Sequence, residues 1–138
     1  MIKRVLVDTD VILDIALARK PFYEASRTVL ALLENNAALG FITSNSAGNI
    51  YYILKKAGGD KKARIFISRL LNILTILAID HSTVIVALDS GFKDFEDALQ
   101  NYSAEKNQCQ SIITRNTEDY QKSGINIYSP LEFLHMFQ

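Results

Sequence analysis

Asp8 ends the short apolar run Val5-Leu6-Val7 and is followed by Thr9 and Asp10. A carboxylate in that place stands at the carboxyl end of a first strand, where open parallel sheets present their ligand-binding groups. Asp in a strand-to-helix turn also commonly caps the next helix. We assign the cap to Asp10 and the chemistry to Asp8. A second acidic cluster lies in Lys-Asp-Phe-Glu-Asp-Ala-Leu-Gln, residues 93–100. Asp94 and Asp97 are three apart and share one flank of a helix, with Asp94 suited to the N-cap and Asp97 to the favourable end of the helix dipole. Asp97 borders the apolar face of Phe95, Ala98, Leu99 and Tyr102, which directs it toward a sheet, while Glu96 is expected in solvent. A third acid, Asp119, follows the apolar pair Ile112-Ile113. It is either a participant in the site or the solvated end of a short helical turn begun by Asn116 and Thr117.

Three carboxylates arriving from separate strand ends can share a pocket only by sharing a proton or a cation. With oxygen ligands and no Cys/His cluster, the ion expected is Mg²⁺ or Mn²⁺ rather than zinc. Such an ion can hold a phosphate oxygen and activate water for in-line attack on a phosphodiester. Hydrolysis without a covalent enzyme intermediate is the chemistry this implies.

Residues 3–8, 40–43, 75–79, 111–114 and 126–128 are short, apolar or β-branched, and separated by segments of helical periodicity. The alternation predicts a three-layer α/β/α sandwich around a parallel five-stranded sheet, in one domain over residues 1–138. Phe22, Val29, Leu30 and Leu33 share a helical face. Pro21 is expected to open that helix, and Gly58 and Gly59 separate two later ones.

Composition limits the alternatives. Of 138 residues, 49% are hydrophobic, with only six Gly and two Pro, which excludes a disordered chain. Fifteen basic side chains balance fifteen acidic ones, which argues against coating nucleic acid through bulk charge, so any such contact must be local. Cys109 is the single cysteine and is read as a buried structural thiol, while His81 and His135 have no visible catalytic partner. Val5-Leu6-Val7 is too short for a signal-peptide core, and the apolar stretch from Leu70 to Ile79 is interrupted by Asn72 and Thr75. A cytoplasmic protein without membrane attachment is the expectation.

The segments Val-Asp-Thr-Asp-Val-Ile-Leu-Asp at 7–14, Thr-Ser-Asn-Ser-Ala-Gly-Asn-Ile-Tyr-Tyr-Ile-Leu-Lys-Lys at 43–56, Asp-Phe-Glu-Asp-Ala-Leu-Gln at 94–100 and Ile-Thr-Arg-Asn-Thr-Glu-Asp-Tyr at 113–120 resemble the PIN-domain family. These are small metal-dependent ribonucleases that include VapC-type toxins. The resemblance spans nearly the whole chain. It implies metal ligands and catalytic acids at Asp8, Asp97 and Asp119, with Asn116 as a neighbour of the last and Asp94 assisting. Where the family often has a further acid, one turn into the helix after the second strand, this chain has Asn49. Its amide can lend a carbonyl oxygen or orient a water but brings no charge. RNA as substrate, a homodimer and an antitoxin partner are further expectations of kinship.

Residues 55–69 hold Lys55, Lys56, Lys61, Lys62, Arg64 and Arg69 against Asp60 alone. A basic rim beside an acidic cleft suits a phosphate backbone, although such runs are usually solvated helix faces. Arg115, next to the third acid, is the best single candidate for an RNA contact. Tyr51 and Tyr52 suit base stacking, a partly buried helix face or a dimer contact. Three other readings compete. A flavodoxin-like receiver would need Lys before Pro after the last strand, where Ser129 precedes Pro130. A haloacid-dehalogenase-like phosphatase would use Asp8 and Asp10 as a nucleophile pair but lacks an evident late acidic pair. A non-catalytic RNA-binding or partner-binding domain on the same fold is made plausible by Asn49.

Overall fold

Arg4–Val7 forms β1, the central strand, with Val5, Leu6 and Val7 all buried. A strand buried on both faces reads as a continuous apolar run rather than an alternating one, which is the mark of a covered parallel sheet. A computed structural model describes residues 2–137. In chain order β1 is followed by α1 (Thr9–Ala16), α2 (Tyr23–Glu34), β2 (Leu39–Thr43), α3 (Ser44–Gly58), α4 (Asp60–Leu70), β3 (Leu74–Leu77), α5 (His81–Leu88) and α6 (Phe95–Lys106). The chain then forms β4 (Ser111–Ile113), a 3₁₀ turn (Thr117–Tyr120), β5 (Asn126–Tyr128) and α7 (Pro130–His135). Every pairing is parallel, and the strand order is β3-β2-β1-β4-β5.

Alternation along the strands sorts the core into two layers. Val5, Val7, Ile42, Leu74 and Ile113 face α1–α4 and α7, joining Ile12, Val29, Leu33, Ile50, Leu54 and Phe133. Leu6, Phe41, Leu77 and Ile112 face the other way, toward Ala104 of α6, Cys109 and Tyr120. α5 packs on α6 through Ala87, Ala98 and Leu99. This is the expected three-layer α/β/α sandwich. The order reverses direction between β1 and β4, so their carboxyl ends open a crevice at the switch point.

Two local expectations are corrected. Pro21 does not open α2: it lies in a turn closed by Tyr23 N–H donating to the Arg19 carbonyl, and the helix begins at Tyr23. Phe22 therefore precedes the helix and leaves the Val29/Leu33 face, its ring stacking under the Arg115 guanidinium at 4.3 Å. Gly59 separates α3 from α4 as expected, in the left-handed region at φ 92°, where other residues are strained. Among the described residues no helix is long and apolar enough to cross a membrane.

Gly40 in β2 marks a close approach of helix and sheet. A Cβ there would stand 2.5 Å from Leu74 Cδ2 and 2.8 Å from Leu33 Cδ1, both core side chains. Gly40→Ala is expected to cost about 1–3 kcal/mol by overpacking, read as a lowered urea midpoint at unchanged slope; an unchanged midpoint would contradict this packing.

Candidate active site

β1 delivers Asp8 to the crevice, and Asp8, not Asp10, is the N-cap of α1, its Oδ1 accepting the Thr9 N–H at 2.7 Å. Capping turns its carboxylate inward. Gln100 Nε2 donates to Oδ1 at 3.0 Å, and the Thr114 hydroxyl donates to Oδ2 at 2.7 Å. Gln100 is itself oriented by the Thr43 hydroxyl, which donates to its Oε1 at 2.8 Å while accepting the Ser46 N–H that caps α3. The ends of β1, β2 and β4 and the middle of α6 are thus joined through one carboxylate.

Asp10, one step further along α1, points into the cleft, where it accepts from Asn116 Nδ2 at 2.9 Å. Asn116 is seated by its own N–H on Thr114 Oγ1 at 3.1 Å. Asp94 caps α6 by accepting the Asp97 N–H at 3.0 Å, as its spacing predicts. That cap places Asp97 in the first helical turn, half-buried, where Tyr120 donates its hydroxyl to Oδ1 at 3.4 Å. Glu96 is exposed, as expected of its flank, yet it also borders the cleft and accepts from Asn49 Nδ2 at 3.3 Å. The charge absent at residue 49 is therefore supplied next to it by α6. Asp119 is exposed on the rim, on the 3₁₀ turn.

A cavity of about 480 Å³ is lined by Asp8, Asp10, Asp94, Glu96, Asp97 and Asp119 together with Asn45, Asn49, Gln100 and Asn116, and among the described residues no Lys, Arg or His lines it. The electrostatic consequence is direct. Burial pushes the Asp8 carboxyl above its ordinary range despite three donors, and Asp10 adds to the effect. Burial, then the charges of Asp94, Asp8 and Asp119, push Asp97 up to about 7, against the Tyr120 hydrogen bond. Tyr120 is held protonated, chiefly by burial, and stays a donor. Among the described residues no three His, Cys, Asp or Glu side chains stand close enough together to hold an ion as they are placed. In chemistry the donor set fits a hard divalent cation: all oxygen, from three separate elements, with no competing base.

Asp8, Asp97, Asp94, Asp119, Asn49 and Asn116 are brought to this one cleft. The basic candidates are not. α3 reaches the cleft through Asn45, Asn49, Tyr52 and Ile53, and Lys55 and Lys56, two and three residues further along the helix, do not line it. Lys61 lies outside the cleft on α4, and Lys62 lines a separate groove with Leu17, Leu54 and Phe66. Arg115 is committed to Asp14, its Nε and a second nitrogen donating to the carboxylate at 2.9 and 3.2 Å. Asp14 is fully buried and is also paired with Arg19 at 3.6 Å. Cys109 is buried before β4, its thiol pushed up to about 11 by burial.

The raised carboxyl of Asp97 has a definite sign. An unfolded Asp titrates near 3.9, so between about pH 4 and pH 7 the folded chain binds the extra proton and its metal-free stability falls as pH rises. Asp80, held well below the usual range chiefly by Lys106, acts only below that window. The thermal midpoint in chelator is expected to decline between about pH 5 and pH 8, with a visibly flatter profile for Asp97→Asn; equal profiles would remove Asp97 as the titrating group.

Comparison with known proteins agrees with this architecture. The PIN domain family matches residues 4–118 of the chain. Ribonuclease VapC1 of Aquifex aeolicus (strain VF5) is 31% identical over 136 residues, covering 95% of this chain and 93% of the relative. A toxin–antitoxin complex from Klebsiella pneumoniae superposes at TM-score 0.67 with 23% identity, over 91% of this chain and 97% of the other. The sarcin–ricin loop cleaving toxin VapC20 of Mycobacterium tuberculosis superposes at TM-score 0.63 with 15% identity, over 78% and 86% respectively. The fold, the extent of the match and the shared identity lead to one conclusion: this chain belongs to the PIN domain family.

Proposed function

We propose that the protein is a divalent-metal-dependent endoribonuclease that hydrolyses RNA phosphodiester bonds and serves as the toxin of a toxin–antitoxin pair in the cytoplasm. The observation that carries this reading is the cleft itself, five carboxylates around the buried Asp8 with no cation lining it among the described residues. The 31% identity to a ribonuclease supports the reaction class. The fold shared with a chain of a toxin–antitoxin complex supports a cognate protein partner. Ile85, Val86 and Leu88 of α5 are exposed apolar side chains that suit a homodimer contact.

Asp8, Asp97 and Asp119 would hold the ion, with Asp94 and Asn116 beside them. When bound, Mg²⁺ or Mn²⁺ supplies charge neutralisation, polarisation of a phosphate oxygen and a water of lowered pKa. The chain's own residues do the rest. Thr114, Gln100 and the Thr9 N–H use up the freedom of Asp8, so its oxygens keep one orientation. Asn116, clamped to Asp10, presents its amide oxygen from a fixed frame. Asn49 and Glu96, linked to each other, can orient a water at the α3 side. Arg115 acts through Asp14 to hold the root of the loop that carries Asn116 and Asp119.

A second reading, a domain that binds RNA or a partner without cutting, draws on Asn49 and on the splayed placement of the acids. Digestion of single-stranded RNA with added Mn²⁺ separates the two. The wild-type protein is expected to cut, and Asp8→Asn and Asp97→Asn to lose at least about a hundredfold in rate while keeping their fold. Equal cutting by wild type and Asp8→Asn would expose a contaminating nuclease. Mn²⁺ is also expected to raise the wild-type thermal midpoint at pH 8, and most of that gain should vanish in Asp97→Asn.

A further inference from the structure

A second cavity of about 330 Å³ adjoins the acidic cleft, with Asp94, Asp97 and Asp119 lining both. Its far side is formed by Gly91, Phe92, Lys93, Gln121 and Lys122, with Glu118 at the edge. Lys93 and Lys122 are the cations that line this joined space; the cleft proper is lined by none. The wall behind them is rigid. Phe92 packs edge-on against Tyr102 at 5.8 Å and against Tyr120 at 6.2 Å, and Tyr120 in turn bonds Asp97. The stem of Lys122 lies over Gly91, its Cδ and Cε 3.8 Å from where a Cβ would stand.

A polyanion entering a pocket of six carboxylates is repelled except where positive charge compensates it. We infer that Lys93 and Lys122 form the phosphate-holding wall of the substrate path, so that a single strand of RNA crosses the carboxylates and passes a neighbouring phosphate to these two ammonium groups. This inference rests on the nuclease reading for the identity of the strand. The opposite end of the path carries Tyr52 and Ile53, exposed at the mouth of the cleft, where a base can stack.

The test measures binding and cutting separately. A short fluorescein-labelled single-stranded RNA of mixed sequence is titrated with the full chain in Ca²⁺, and cleavage is followed in Mn²⁺. The Lys93→Gln/Lys122→Gln double variant is expected to bind about tenfold more weakly, with the slope of log affinity against log salt shallower by about 1.4 for two lost phosphate contacts. KM should rise with kcat nearly kept. Lys3→Gln, at the opposite end of β1, serves as the control and should match wild type. Unchanged affinity and KM in the double variant overturn the inference even if the enzyme cuts RNA. So does a loss of affinity confined to Lys61→Gln/Lys62→Gln, which would put the strand across α4. Binding that depends on Lys93 and Lys122 without any cutting would keep the inference and remove the nuclease reading.

Discussion

Like charges resist being gathered, and the fold is arranged around one carboxylate that is gathered without being neutralised. Asp8 is buried and receives three hydrogen bonds, all from neutral donors: a backbone amide, a side-chain amide and a hydroxyl. Neutral donors fix orientation and offset part of the desolvation penalty while leaving the negative charge uncancelled. The same helix holds the contrast. Asp14, fully buried on α1, meets two guanidinium groups and has its charge cancelled on the spot. One acid is thereby left with an unmet demand for a cation and the other is not. The donors to Asp8 come from α1, from α6 and from the residue that follows β4, and α6 is itself tied to the end of β2, so the carboxylate is oriented only when these elements are all in place.

The helix geometry explains why acidity concentrates on one side of the cleft. α6 begins at the crevice, so its N-cap Asp94 and its first-turn Glu96 and Asp97 are presented together, with the positive end of its dipole partly offsetting their repulsion. α3 also begins there but offers amides, Asn45 and Asn49, in its opening turns. The hydrogen bond from Asn49 to Glu96 then reads as a division of labour across the cleft: one helix carries the charge and the other a neutral donor that tolerates it. An acid at residue 49 would face Glu96 with no donor between them.

Much of this was legible from residue order. Strands rich in Val, Leu and Ile leave little choice of conformation, and Asp94 followed three places later by Asp97 announces its own cap. What escaped sequence reading has a common cause: roles decided by contacts remote in the chain. Asp8 and Asp10 both suit an N-cap locally, and only the depth of β1 assigns the cap to Asp8 and releases Asp10 into the cleft. Gln100 and Thr114 carry no charge and no distinctive spacing, so nothing marked them as the partners of Asp8. Arg115 looked free because Asp14 is a hundred and one positions away. Lys55, Lys56, Lys61 and Lys62 do not line the cleft, and charges counted along a line do not tell which helix face each residue occupies.

The Asp14–Arg115 clasp bears on how scanning data for this protein should be interpreted. It joins the middle of α1 to the segment after β4 deep in the molecule, with Phe22 as a lid over the guanidinium. Disrupting it strands a charge inside, so cells bearing such alleles would lose the protein through misfolding and clearance. Loss of this pairing would therefore act on the amount of folded protein, whereas a change at the cleft would act on the site alone. Abundance, scored alongside the readout at the cleft, is what tells architecture from chemistry along this one helix.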